Sequence, residues 1–444
     1  MRKVLYTAGL IGALTTFSSC KKYLDIVPVG KVIPTTVADF RKELDAGYAI
    51  INYDKGLASY RADEIKMNES RSSDVNMLQP NYFWDENNGA NIYTYDWRAK
   101  YQQIFYANHI IDAAPNATDG TQEEKNQLLG EAYLMRAYTH FNLVNLYGKP
   151  YNEATAATDK AVPVIIKVDL EKVSGRNSVK EVYDQVIADI ATGLSLVNVD
   201  QYQTAASYKF TKVSGLAMAA RVYLYTHQWE KSLEAAKAVL AKKNTLVDFN
   251  KASTLPTQYN SVETIQALEQ NYTSAYIQTA FVSDALYALY NTTGDLRLKV
   301  FYGKDSKNNN VVSKVSNSNS FRQSFRVAEM YLIAAEAAAQ LNQPEQARTF
   351  LNQLKKNRLT ADFYQTEEAR LATLTGAALL QEIYNERSRE LAFEGHRWFD
   401  LRRTTQPQIV HTIKSKTVTL QAGDPRYTIK IPVEAIANNP LLSE

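Results

Sequence analysis

Glu131 to Pro150 reads EAYLMRAYTHFNLVNLYGKP, a helix too apolar all round to lie on a surface. Tyr133, Leu134, Ala137, Tyr138, Phe141, Val144 and Leu146 spread around the wheel instead of forming one stripe, so a central strut covered on most sides is expected. Arg136 and His140 stand one turn apart on it, and Asn142 and Asn145 make a second polar pair. Each such group, once buried, needs a partner from another segment. The expected supplier is Glu386 to Arg403, ERSRELAFEGHRWFDLRR, where acids and bases alternate with Leu391, Phe393, Trp398 and Phe399 as in a semi-buried ion-pair network. A network of that kind removes its own charges by pairing, so the run is read as scaffold despite a charge density like that of an active site.

Outward from the strut, helical spacing continues. Thr36 to Ile51 carries Val37, Phe40, Leu44 and Tyr48 on one face, and Trp97 to Ala114 is ended by Pro115. Ser178 and Glu181 form an S-x-x-E capping box for a helix through Leu196. Thr211 to Ala241 and Phe325 to Lys356 read as two helix pairs in tetratricopeptide register, with small residues where two helices approach. Pairs that each leave one apolar face uncovered must stack. The last long helix runs from Gly376 to Phe393, and Lys416 to Ile431 alternates as a short hairpin turning at Gly423 to Pro425. Two stretches break the pattern: Asp54 to Asn91 and Asn244 to Asn319, both rich in Asn, Ser and aromatic residues. The expected fold is therefore all-α: a tetratricopeptide-like helical repeat array, residues 36–444 as one domain, with two long irregular insertions and a minor β-hairpin.

The 444 residues carry 50 basic and 47 acidic side chains, a formal charge of +3 with no long basic run, which argues against nucleic acid as a partner. The one cysteine, Cys20, excludes a disulfide framework and a thiolate metal site. Arg2 and Lys3, the apolar run Val4 to Phe17, and Ser18–Ser19 before Cys20 have the layout of a secretory signal with a lipobox. Residues 1–19 are thus expected to be a lipoprotein signal peptide and residues 20–35 an extended leader lipidated at Cys20; several acyl chains there would anchor the protein stably. The apolar run is too short to span a membrane comfortably.

The strut and the GHRWFDLRR run resemble the paired signatures of the SusD/RagB family, outer-membrane lipoproteins of Bacteroidetes that capture nutrients, usually glycans. KKYLDIVPVGKV after Cys20, SFRVAEMYLIAAEAA from Ser324, DLRLKVFY from Asp295 and the ending IPVEAIANNPLLSE extend the resemblance over nearly the whole chain. It implies a cell-surface, lipid-anchored protein of the outer membrane that hands an oligosaccharide to a TonB-dependent, SusC-like β-barrel transporter, acting over it as a hinged lid.

No HExxH, GxSxG, Walker loop or cysteine nucleophile is present, and the five histidines lack ligand spacing, so neither enzyme nor cofactor is expected; the loop Asp and Asn residues show no ordered calcium spacing. Sugar binding needs flat aromatic faces together with amides, carboxylates or guanidinium groups. The first insertion holds both kinds: Asn81, Tyr82, Trp84, Asp85, Asn88 and Tyr93, with Trp84 the preferred stacking platform. From the second come Tyr290 as a wall and Arg297 as a fork to hydroxyls, although Asp295 can pair with Arg297 internally. Two other readings stand beside this one: a helical-repeat adaptor for peptides or proteins, and a glycosidase using acid pairs such as Asp63 with Glu64 or Asp85 with Glu86.

Overall fold

Thr36 starts the first helix with a reciprocal cap: its hydroxyl accepts the Asp39 N–H, and the Asp39 carboxylate accepts the Thr36 N–H. The computed structural model describes residues 34–85, 92–169, 171–252 and 254–443, and Cys20 and the expected leader up to residue 33 lie outside these. In chain order the elements are α1 (Val37–Ala49), α2 (Asp54–Ser59), β1 (Ile65–Met67), α3 (Ser72–Tyr82), α4 (Trp97–Ala113), α5 (Gln122–Tyr147), α6 (Val179–Leu196), α7 (Lys212–Tyr225) and α8 (Trp229–Lys242). Then come β2 (Thr264–Gln266), α9 (Ser274–Thr279), β3 (Ala280–Val282), α10 (Asp284–Tyr287), α11 (Arg297–Phe301), β4 (Tyr302–Lys304), β5 (Asn310–Val312) and β6 (Phe325–Arg326). The chain closes with α12 (Val327–Gln340), α13 (Pro344–Lys356), α14 (Ala361–Ala372), α15 (Gly376–Glu390), α16 (Arg397–Arg403), β7 (Ile409–Ile413), β8 (Lys416–Leu420) and α17 (Val433–Asn438).

The helices form the tetratricopeptide-like array. α7 packs on α8 and α12 on α13, and α12 also packs on α8, so the two pairs stack. α5 is the strut: from Leu134 to Tyr147 every residue except Asn142 is buried, with α4 on one side and α6 on another. α5 and α6 approach so closely that a Cβ on Gly193 would lie 2.8 Å from the Leu134 side chain.

The partners of the strut's buried polar groups differ from expectation. Arg136 forks onto Asp189 of α6 (2.6 and 2.8 Å) and donates to Asn108 of α4 at 2.8 Å. His140 faces the Arg136 carbonyl at 3.1 Å and accepts the Ile165 N–H at 3.3 Å, and burial, with Arg136 beside it, pushes its pKa down to about 3. Glu386 to Arg403 serves the strut instead through its end, where the Arg402 guanidinium donates to the carbonyls of Asn145 and Gly148. These are the unpaired C-terminal carbonyls that every helix must satisfy.

That downstream run is the ion-pair network read from its alternating charges. The Glu390 carboxylate meets Arg326 at 2.7 Å, Arg358 at 2.9 Å and Arg297 at 3.2 Å, all buried. Burial pushes the Glu390 pKa up, but the three guanidinium groups outweigh it and hold the carboxyl well below its usual range. Arg326 and Arg358 also pair with Glu263, tying the second insertion to the helical back.

The insertions are more ordered than their composition suggests. β1 of the first pairs antiparallel with β3 of the second, in a four-stranded sheet of order β1-β3-β5-β4, so the two insertions lie together. The hairpin also differs from expectation. β8 pairs backwards with β7, with Ile413 opposite Lys416, and Gly423 to Pro425 lies beyond it. Lys414 takes φ +54° in the intervening turn.

Candidate functional site

Most of the aromatic and charged groups expected to grip a ligand are in the core. Trp84 is 2% exposed; its indole N–H donates to the Arg61 carbonyl at 2.9 Å and its ring stacks on His411 at 4.4 Å. It plugs the first insertion onto β7, so its expected role as a stacking platform is corrected. Tyr82 stacks on the other side of the same imidazole at 3.9 Å and is equally buried. Asn81 is buried with its amide donating to the Tyr93 carbonyl at 2.9 Å. The Tyr290 hydroxyl, also buried, donates to the Arg389 carbonyl at 2.7 Å and bonds Tyr302. Arg297 is fully enclosed between Asp295 (2.7 Å), Glu386 and Glu390. Tyr82, Asn81, Tyr290 and Arg297 are therefore corrected from ligand contacts to core. Asp85 is exposed, Tyr93 is half-buried, and Asn88 lies outside the described residues.

What the fold leaves open is a different aromatic group, built where the insertions meet. The ring of Tyr276, on α9, is a buried floor. Tyr93 meets it edge-on at 5.2 Å and Tyr53 at 6.5 Å, both at nearly right angles, and both stay half-exposed. Edge-to-face packing of this kind holds the rings in place. Burial, with Asp74 nearby, raises the Tyr93 pKa, so its hydroxyl remains a neutral donor and acceptor.

A polar rim follows from α3 and α9. The Asn68 amide donates to the Gln278 carbonyl at 2.8 Å, and the Arg71 guanidinium donates to the Gln278 side chain. Arg71 also stands 3.6 Å from Asp74. α3 itself was hidden by Pro80 inside it and by a polar composition. Its seven-residue stagger puts Asp74 and Asn81 on one flank, and the backbone confirms the placement, since the Tyr93 N–H donates to the Met77 carbonyl at 3.2 Å. Tyr53 carried no signal beyond its place before the first insertion.

With this geometry in hand, comparison with known proteins decides the family. A SusD-like family model described as "Starch-binding associating with outer membrane" matches residues 22–224, and the model of the SusD family matches residues 219–436. The chain belongs to the SusD/RagB family. A SusD-like protein from Formosa agariphila is 22% identical over 91% of this chain and 92% of its own length. Among solved structures, a SusD superfamily protein from Bacteroides fragilis superposes with a TM-score of 0.77 at 21% identity, covering 93% of this chain and all of that one. A laminarin-binding SusD-like protein superposes with a TM-score of 0.62 at 18% identity, over 84% of this chain and 92% of that one.

The arrangement suits recognition. In this SusD-family chain the two half-exposed phenols offer apolar faces, and the adjacent carboxylate, guanidinium and amide groups can bond hydroxyls. The carboxyl most shifted towards neutrality, Glu64, is pushed up to about 7 by burial, yet it is only 2% exposed and accepts the Phe393 N–H at 3.0 Å. Asp63, its sequence neighbour, is forked by Arg397 at 2.6 Å. Among the described residues no group of three His, Cys, Asp or Glu is placed to hold a metal ion.

Proposed function

We propose that this chain is a glycan-binding surface lipoprotein that captures an oligosaccharide and delivers it, unaltered, to a TonB-dependent SusC-like transporter of the outer membrane. The observation that carries the reading is the Tyr53–Tyr93 shelf over Tyr276, rimmed by Arg71, Asp74 and Gln278 and assembled from both insertions. A laminarin-binding neighbour of the same fold and the family description lend support. Asp85 and Asn88, close to Tyr93 in the sequence, join the proposed contacts. The Ser18-Ser19-Cys20 sequence supports cleavage after residue 19 and a lipid anchor on Cys20, followed by a leader to residue 35 and one helical domain from residue 36.

Isothermal titration with a panel of neutral and acidic oligosaccharides tests the reading. At least one glycan is expected to bind and to lose about fivefold in affinity on Tyr93→Ala, the ~1 kcal/mol worth of one aromatic contact. Silence toward every glycan, with tight binding of a peptide, would establish the adaptor reading in its place; release of shortened sugars during titration would establish a glycosidase.

A further inference from the structure

The first insertion has a second concave surface on the other flank of α3. Ser72, Asn76, Gln79 and Phe83 follow at steps of four, three and four residues, so they share one side of the helix, turned from the side that meets Tyr93. Opposite them stands the tip of the β7–β8 hairpin, and between the two lies a groove of about 200 Å³. That is below the roughly 300–1,000 Å³ of pockets for drug-sized ligands, and it suits one sugar ring.

The groove is held in shape. The Lys414 N–H, at the turn with φ +54°, donates to a Glu69 carboxylate oxygen at 2.8 Å, which pins the tip to the loop before α3. The Lys416 ammonium sits 4.9 Å from the centroid of the buried Phe83 ring, a cation–π contact that keeps it over the floor. Its charge, and that of Lys414, is otherwise unspent: among the described residues neither ammonium has a carboxylate within ion-pair distance, and neither the Asn76 nor the Gln79 amide has a hydrogen-bond partner. Two cations thus face a space whose single carboxylate, Glu69, is engaged, with free amides and the hydroxyls of Ser72 and Ser415 around them.

We infer that this groove binds one acidic sugar unit, bearing a carboxylate or a sulfate ester, of the glycan whose neighbouring part rests on the tyrosine shelf. The inference rests on the glycan-binding reading and adds the charge class of the ligand. The ammonium groups would neutralise the anion, and the amides, each both donor and acceptor, match ring hydroxyls. Groove and shelf lie on opposite flanks of α3, a helix about 10 Å across, so in this reading the glycan crosses over the helix from one to the other.

The experiment titrates the full chain and its Lys414→Ala, Lys416→Ala double variant with tetragalacturonate, a κ-carrageenan tetrasaccharide and laminarihexaose, at low and at high salt. Both lysines are exposed, so folding is expected to persist, and circular dichroism checks it. The expected result is binding of at least one acidic oligosaccharide that weakens tenfold or more in the double variant and in high salt, while any laminarihexaose affinity moves less than twofold. Which acidic probe responds separates carboxylate from sulfate. Acidic binding indifferent to the lysines, or binding of laminarihexaose alone, overturns the inference and leaves the glycan reading standing. Silence toward both acidic probes overturns it as well, and the neutral panel then decides the glycan reading independently.

Discussion

Truncating Trp84 separates a plug from a platform. Its side chain is 2% exposed, and converting a buried tryptophan to alanine costs about 3–5 kcal/mol through lost transfer energy and the cavity left behind. The Arg61 carbonyl would also lose the indole N–H it now receives at 2.9 Å, at a further ~1 kcal/mol. The backbone at φ +53° is strained for any residue with a Cβ, so alanine relieves nothing there. Trp84→Ala is therefore expected to lose about 4–6 kcal/mol in urea unfolding, and Trp84→Gly slightly less because its backbone strain of ~1 kcal/mol disappears. Tyr93→Ala, at a half-exposed site, is expected to move stability by under ~1 kcal/mol while weakening sugar binding. Equilibrium urea unfolding followed by tryptophan-independent circular dichroism, beside titration with the bound glycan, reads both quantities. A Trp84→Ala protein with an unchanged urea midpoint and a selective loss of sugar binding would refute the assignment of Trp84 to the core.

Other perturbations reach other parts of the same design. Glu390→Gln removes the charge shared by Arg297, Arg326 and Arg358 and is expected to destabilise by about 3–5 kcal/mol; a urea-measured loss under ~1 kcal/mol would mean that the neighbouring acids replace it. Gly56→Ala would drive a Cβ to 1.7 Å from the Asn271 carbonyl oxygen, where α2 touches the second insertion. A loss of about 1–3 kcal/mol is expected, with weakened glycan binding as the Tyr276 floor shifts, and an unaffected melting temperature would count against that contact. Glu64 has a folded pKa near 7 against an ordinary 4.5, so the folded state holds more protons than the unfolded state between those values. Its contribution to stability is full below about pH 4.5, falls as pH rises, and is gone above pH 7, a span of about 3 kcal/mol. Glu64→Gln stays neutral and is expected to lose that decline; urea midpoints at pH 5 and pH 8 for both proteins, compared as a difference, check it.

The helical back was legible because its signals are local. α5 begins at the Thr121–Glu124 capping box and ends at Gly148, and α6 begins at Ser178 with Glu181 closing the box, so both ends are set by residues three or four apart. Apolar residues all round α5 likewise announce burial without reference to any partner. Partners are another matter. Nothing within Glu131 to Pro150 tells Arg136 that Asp189 lies opposite, since that depends on how α6 crosses α5. The three-residue strands β1, β3 and β4 are too short to show alternation, and β5 sits behind an Asn-rich turn, so the sheet joining the insertions left no periodic trace.

The same distinction explains the site. Tyrosines and a tryptophan in a long polar loop suggested exposure, but a loop of that length can build a core of its own, and here His411 supplies one, its ring between Tyr82 and Trp84. An aromatic residue is then exposed only where the loop runs out of partners. That happens at Tyr53 and Tyr93, which border the first insertion and reach a single ring, Tyr276, contributed by the second. The floor and the walls come from segments about 200 residues apart, and the β1–β3 pairing helps to hold those segments side by side. On the proposed glycan-binding reading, a substitution that loosens β1 from β3 is therefore expected to weaken both the docking of the two insertions and the affinity for sugar.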